Sequence, residues 1–528
     1  MSPATAVRGL VAIAIAMATT FTGTADASPA SHAPVVATTG GLVRGVTAAG
    51  NDQFLGIPYA APPVGALRWQ PPRPAAPWAG VRDADEAGSA CPQPAGGFGA
   101  PSVNEDCLYL NVTTPATPAR HRPVMVWIHG GSLVTGSGDI YDPTRLVHNG
   151  VVVVTINYRL GALGFLAHPA FAGAPGGPAG DYGLMDQQAA LRWVSRNAAR
   201  FGGDPGNVTI FGESAGGLSV LSHLVSPASR GLFDRAVVQS GAYALTEPSL
   251  ADAEAQGQAF AASVGCADQS AACLRTVPVT TLLARQGSGY VPNIDGRVLT
   301  RSIGPALSTG QFARVPVING STHDEWRLFV ASNELAGNPV TAGNYLAMIS
   351  ATLGVPAQTA AAIAAEYPLG DYSSPAVALG ALGTDAIFAC PALTVDNTAS
   401  RYVPTYGYEF NDENAPSLLP PVSFPTGAFH ASELKYLFGL PIGGPLAPEQ
   451  ERLAAAMRQG WTSFAASGAP RGWPRYRADT QRLESFVPPR PTVETGFAAD
   501  HRCAFWAGLT PAVTADHAAR SATARPAP

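Results

Sequence analysis

Charge is what this chain has least of. Only 13% of its 528 residues are charged, Lys435 is its single lysine, and the formal net charge is -5 with no block of like charge. Holding nucleic acid or an anionic membrane takes clustered Lys and Arg, so neither is expected as a partner. The excess of arginine over lysine reads as coding bias and carries no mechanism. Beyond the first 27 residues no apolar run reaches the roughly 18 to 20 that a bilayer-spanning helix needs, so no membrane span is expected. No Cys-x-x-Cys occurs and no His stands at zinc-finger spacing, which excludes a zinc module and leaves no metal or cofactor to expect. No internal repeat is visible, which excludes a solenoid.

Apolar residues are plentiful. They make up 46% of the chain, enough for a large core and too many for a disordered segment. The first 27 residues form an export address: a lone Arg8, an apolar stretch from Gly9 to Ala18, then the small-x-small pattern Ala25-Asp26-Ala27. A mature secreted chain would begin at Ser28. Six cysteines suit an extracellular protein. They allow about 15 pairings, of which near neighbours give the simplest: Cys91 with Cys107, Cys266 with Cys273, and Cys390 with Cys503. Residues 28–509 contain nothing that reads as an interdomain linker and form one expected domain. Residues 510–528, rich in Ala, Thr and Arg, read as a low-complexity tail.

Short apolar runs mark buried strands at Val124 to His129, Val151 to Asn157, Val208 to Phe211, Ala236 to Gln239, Val315 to Asn319 and Thr405 to Phe410. Between two of them, Gly183 to Phe201 carries apolar residues at helical spacing before Gly202-Gly203. Strand, helix, strand implies a mostly parallel central sheet with helices on both faces, in the doubly wound or α/β-hydrolase class.

The most informative segment is Val208 to Gly217, where a strand runs into Gly212-Glu213-Ser214-Ala215-Gly216 and a helix-compatible stretch follows. A sharp strand-to-helix turn forces the serine into a strained conformation and leaves room only for small residues two before and two after it. The helix then offers free backbone N–H groups, including that of Ala215, to an oxyanion. A second element matches: the strand ending at Ile128 opens into His129-Gly130-Gly131-Ser132, placed where this fold supplies further oxyanion donors. Chain order in the fold runs Ser, acid, His. Of the histidines after Ser214, His223 follows it with no acid between. His323 has no well-placed acid ahead of it, since the acid must follow the strand after the nucleophile region, His501 sits two residues from a cysteine, and His517 lies in the tail. His430 remains. The strand from Val315 opens into His323-Asp324-Glu325, and chemistry alone does not separate Asp324 from Glu325 as the acid.

Taken with Phe54-Leu55-Gly56-Ile57-Pro58-Tyr59-Ala60, Asn104-Glu105-Asp106-Cys107-Leu108-Tyr109-Leu110-Asn111, Asn157-Tyr158-Arg159-Leu160-Gly161, Asp186-Gln187 and Phe201-Gly202-Gly203-Asp204-Pro205, these motifs resemble the type-B carboxylesterase/lipase family of α/β-hydrolases. The resemblance implies a secreted serine esterase. Its acid falls on Glu325, its histidine on His430, and its oxyanion donors on Gly131, Ser132 and Ala215, with Gly130 and Ser240 in support. It implies the same three cysteine pairs. The expected partner is a small-molecule ester; a lipase acting on long-chain glycerides and a non-catalytic binding module are the rivals.

Three departures stand out. Ser132 and Leu133 replace the family's third glycine and aromatic, Trp326 replaces a glycine after the acid, and the Cys91 to Cys107 loop contains Phe98 but no Trp. The last argues against a cholinesterase, which uses a Trp there to hold a cation.

Overall fold

Buried strands rich in Val and Ile organise the molecule. The computed structural model describes residues 33–95, 99–171, 179–287 and 289–509; the expected export segment 1–27, the tail 510–528 and Phe98 lie outside them. Among the described residues eleven strands join in one sheet. They lie in chain order with one exchange, Val152–Ile156 sitting between Tyr109–Pro115 and Arg122–Ile128. From Val152–Ile156 through Arg122–Ile128, Gly203–Glu213, Arg235–Gln239, Val317–Thr322 and Thr405–Phe410 to Leu483–Phe486, neighbours are parallel. Antiparallel strands extend the sheet at both edges.

The core lies on both faces because side chains alternate along each strand. On Arg122–Ile128, Val124, Val126 and Ile128 pack into one apolar cluster while Met125 and Trp127 pack into the other. Helices Tyr182–Asn197 and Ala215–Val225 cover the first face through Leu184, Leu191, Leu218 and Leu221. Helix Pro448–Ser467 covers the second through Leu453, Met457, Trp461 and Phe464. This is the expected α/β-hydrolase arrangement. One apolar helical run, Pro375–Ala399, is long enough to cross a bilayer, but most of it is buried inside the protein, as a core helix would be.

Boundaries shift for local reasons. The strand expected from Val315 starts at Val317, because Pro316 has no N–H to give and Val315 turns back to the Ala313 carbonyl. The expected helix Gly183 to Phe201 ends at Asn197 and tightens into a 3-10 turn, closed by Gly202 at φ +82. The cysteines pair as Cys91–Cys107, Cys266–Cys273 and Cys390–Cys503. Two family-like motifs find their cause in ion pairs: Glu105 holds Arg68 at 2.5 Å, and Asp186 holds the buried Arg159 at 2.7 Å.

Candidate active site

In a parallel sheet, the loops leaving the carboxyl ends of the strands share one edge. Gly130 to Ser132 leave Arg122–Ile128, Ser214 leaves Gly203–Glu213, Ser240 leaves Arg235–Gln239, and Glu325 leaves Val317–Thr322. His430 sits on the irregular stretch that follows Thr405–Phe410.

Ser214 has φ 54 and ψ -121, a left-handed backbone held by its N–H donating to the Gln239 carbonyl at 2.9 Å. Gly216 is obligatory at this elbow: a Cβ there would stand 1.9 Å from the Ile128 carbonyl oxygen. A Cβ on Gly130 would come within 2.9 Å of Glu213 Oε2 and 3.1 Å of Ser214 Cβ, so the two loops approach only because Gly130 is bare. Gly131, Ser132 and Leu133 follow at φ +101, +56 and +60, and glycine would be the easier residue at the last two. Among the described residues, the N–H groups of Gly131, Ser132 and Ala215 donate to no protein acceptor, leaving them free for an oxyanion. His129 lies beneath them, stacked on Tyr158 at 4.4 Å and kept neutral by burial, which lowers it to about 4.

Glu325 is fully buried, with Oε1 accepting from the Thr322 N–H at 2.9 Å and Oε2 lying 2.5 Å from His430 Nδ1. Asp324 points elsewhere, to the Ala428 backbone and Arg327. Between the two acids that sequence left open, only Glu325 reaches the imidazole. Nε2 of His430 lies 3.1 Å from Glu213 Oε1. Among the described residues Ser214 Oγ makes no hydrogen bond to it; such contacts often tighten only when substrate arrives.

Glu213 was not singled out in the sequence, although a carboxylate inside an elbow of small residues is itself a signal. Burial raises its pKa, His430 opposes the rise, and Glu433 and Glu325 add to it. Burial pulls His430 down, but Glu213 and Glu325 outweigh it and hold the imidazole above its ordinary value. The two groups face each other at 3.1 Å, although Glu213 Oε1 makes no aligned hydrogen bond among the described residues. Glu433 completes the buried acidic layer, with Gln239 donating to it at 3.0 Å and Trp461 donating to Gln239. Phe329 and Phe388 wall the imidazole at centroid distances of 5.3 and 5.0 Å. Trp326 stacks on Phe329 at 4.4 Å. Its φ of -73 shows that the turn here needs no glycine. Among the described residues the buried hydroxyl of Ser240 makes no hydrogen bond, while its N–H donates to the Gly320 carbonyl.

The model of the carboxylesterase family matches residues 32–506. The chain belongs to the carboxylesterase family. It is similar to the para-nitrobenzyl esterase of Bacillus subtilis, with 36% identity over 85% of this chain and 93% of that one. It is likewise similar to human cocaine esterase, at 35% identity over 89% of each chain, and to mouse acylcarnitine hydrolase, at 36% over 88% of each. A solved PNB esterase superposes with a TM-score of 0.76 at 34% identity, covering 89% of this chain and 99% of that one. The protein is therefore a carboxylic ester hydrolase.

Two groups in this esterase bring metal-type donor atoms within 4.8 Å of one another among the described residues. In Cys266, Asp268 and Cys273 both sulfurs are spent in a disulfide. In His323, Glu409 and His501, the His501 ring is already held by Asp385 at 2.6 Å and Glu409 at 2.5 Å. Neither offers an open coordination set.

Proposed function

We propose that this esterase hydrolyses small to medium uncharged esters through an acyl-serine intermediate, with Ser214, His430 and Glu325 as its triad. The observation that carries the proposal is a buried Glu325–His430 pair on the strand edge where Ser214 occupies a strained elbow. His430 Nε2 takes the proton of Ser214 Oγ as Oγ attacks the ester carbonyl carbon. Glu325 keeps Nδ1–H in place and stabilises the imidazolium. The oxyanion receives the free N–H groups of Gly131, Ser132 and Ala215. The imidazolium protonates the leaving alcohol, and water then releases the acid from acyl-Ser214 by the same steps.

Gly130 and Ser240 act in support, the first through its bare Cα and the second by pinning its turn to the strand that leads to Glu325. Among the described residues the imidazole is met by Glu213, Glu325, Phe329 and Phe388, an acidic and aromatic surround that suits an uncharged ester better than an anionic one. Three disulfides fit an oxidising compartment, and with the export segment they support secretion.

The test is hydrolysis of p-nitrophenyl esters from acetate to palmitate by the wild type and Ser214→Ala. Loss of at least ~10³-fold in the variant is expected, with the best rates on short chains. A long-chain optimum would move the substrate to glycerides. Near-normal turnover by Ser214→Ala would refute the triad, and a wild type inert on every ester would favour a non-catalytic binding module.

A further inference from the structure

The histidine of this site is carried by a stretch that cannot hold itself. Between Phe410 and Leu434 there is no helix or strand, yet proton transfer needs the imidazole placed within about 0.5 Å. From Pro425 to His430, every backbone hydrogen bond to a distant part of the protein, among the described residues, goes to one short turn. Asp324 N–H donates to the Ala428 carbonyl at 2.9 Å, and the Ala428 N–H donates to Asp324 Oδ2 at 2.9 Å. Arg327 donates to the Pro425 carbonyl at 3.2 Å while its guanidinium pairs with Asp324 Oδ1 at 2.9 Å. His430 N–H donates to the Glu325 carbonyl at 3.3 Å. Gly427 lies so close that a Cβ there would stand 2.1 Å from Asp324 Oδ2. Further along the chain, helix Arg327–Leu335 fastens Ser423 through Glu334.

We infer that Asp324 is a positioning residue, a two-point clamp on Ala428 that, braced by Arg327, fixes the His430 backbone against the turn carrying Glu325. Acid and base are thereby set on one template, although 105 residues separate them in the chain. Asp324 is 3% exposed, so its carboxylate serves the loop and not the solvent. His323, 3.1 Å away through Nδ1, and Arg327 are the charged or titratable partners that hold it.

The inference rests on the triad reading, and the experiment separates the two. Asp324→Ala, Asp324→Asn and Arg327→Gln are compared with the wild type on p-nitrophenyl acetate, with active sites counted by a covalent organophosphate and melting temperature followed in parallel. Asp324→Ala is expected to lose roughly 10- to 100-fold in kcat per titrated site, the scale of a catalytic group displaced by about 1 Å, with KM within about twofold. Asp324→Asn keeps an acceptor for the Ala428 N–H and should recover most of kcat; Arg327→Gln should fall between. A merely structural role would reduce the fraction of titratable sites and leave kcat per site unchanged, overturning the inference. Failure of Asn to rescue would overturn it too, by showing that the charge of Asp324 acts on the chemistry. If Asp324→Ala does not fold, the Asn and Gln variants carry the test. Should Ser214→Ala stay active, the triad reading fails; should it be dead while Asp324→Ala is normal per site, only the clamp fails.

Discussion

Replacing Glu213 with glutamine tests the electrostatics of the site most directly. Two unit charges 3.1 Å apart, the Nε2 to Oε1 separation, interact by about 5 kcal/mol at an effective dielectric of 20, which is about 4 pH units. That is a ceiling, because burial keeps Glu213 partly protonated near neutral pH. A shift of roughly 1 to 2 units in His430 is the expected remainder. The sign follows from the proposed base role. His430 accepts a proton only when neutral, and in the wild type it is raised from 6.5 to about 9, so kcat/KM should climb through the alkaline range. In Glu213→Gln the imidazole deprotonates earlier and the acid limb moves to lower pH. The same linkage has a stability side. A histidine raised on folding stabilises the fold below its unfolded value of 6.5, and that contribution is lost as pH rises through about 9. The variant should lose part of this stabilisation. The assay is kcat/KM for p-nitrophenyl acetate from about pH 5 to 10, corrected for background hydrolysis. An acid limb that stays within about 0.3 unit of the wild type, or moves upward, would refute the argument that Glu213 holds the proton on His430.

Two further predictions concern the scaffold. Gly216→Ala places a methyl 1.9 Å from the Ile128 oxygen and should cost about 3 kcal/mol or more, seen as loss of soluble protein or a collapse in melting temperature; a stable, active variant would show that the elbow can relax. Replacing Cys390 and Cys503 with serine opens a loop spanning 113 residues and should lower unfolding stability by about 2 to 5 kcal/mol in urea titrations, whereas an unchanged midpoint would show the bond to be dispensable.

The sequence disclosed those parts of the molecule in which local constraints repeat themselves. Buried parallel strands read as apolar runs because both faces are covered, and the elbow read as Gly-x-Ser-x-Gly because a backbone contact forbids a Cβ at Gly216. Neighbouring acids were a different matter. Asp324 and Glu325 share composition and position, and only the turn's geometry sends one to the Ala428 backbone and the other to the imidazole. Glu213 stands out in sequence only as a carboxylate among small residues, and what it faces depends on a histidine 217 positions away. His501 was set aside in the sequence for its nearness to Cys503; its actual reason for being there is a buried ion triplet with Asp385 and Glu409, formed by side chains from three remote segments.

The stitch between Cys390 and Cys503 also depends on a late segment of the chain. Its second sulfur, like the neighbouring His501 that pairs with Asp385 and Glu409, comes after every described strand of the central sheet in the chain. Without that segment Asp385 and Glu409 lack the histidine they share, and the helix beginning at Cys390 lacks its covalent tie. A chain shortened before His501 would therefore lose the buried ion pairs and the covalent tie together.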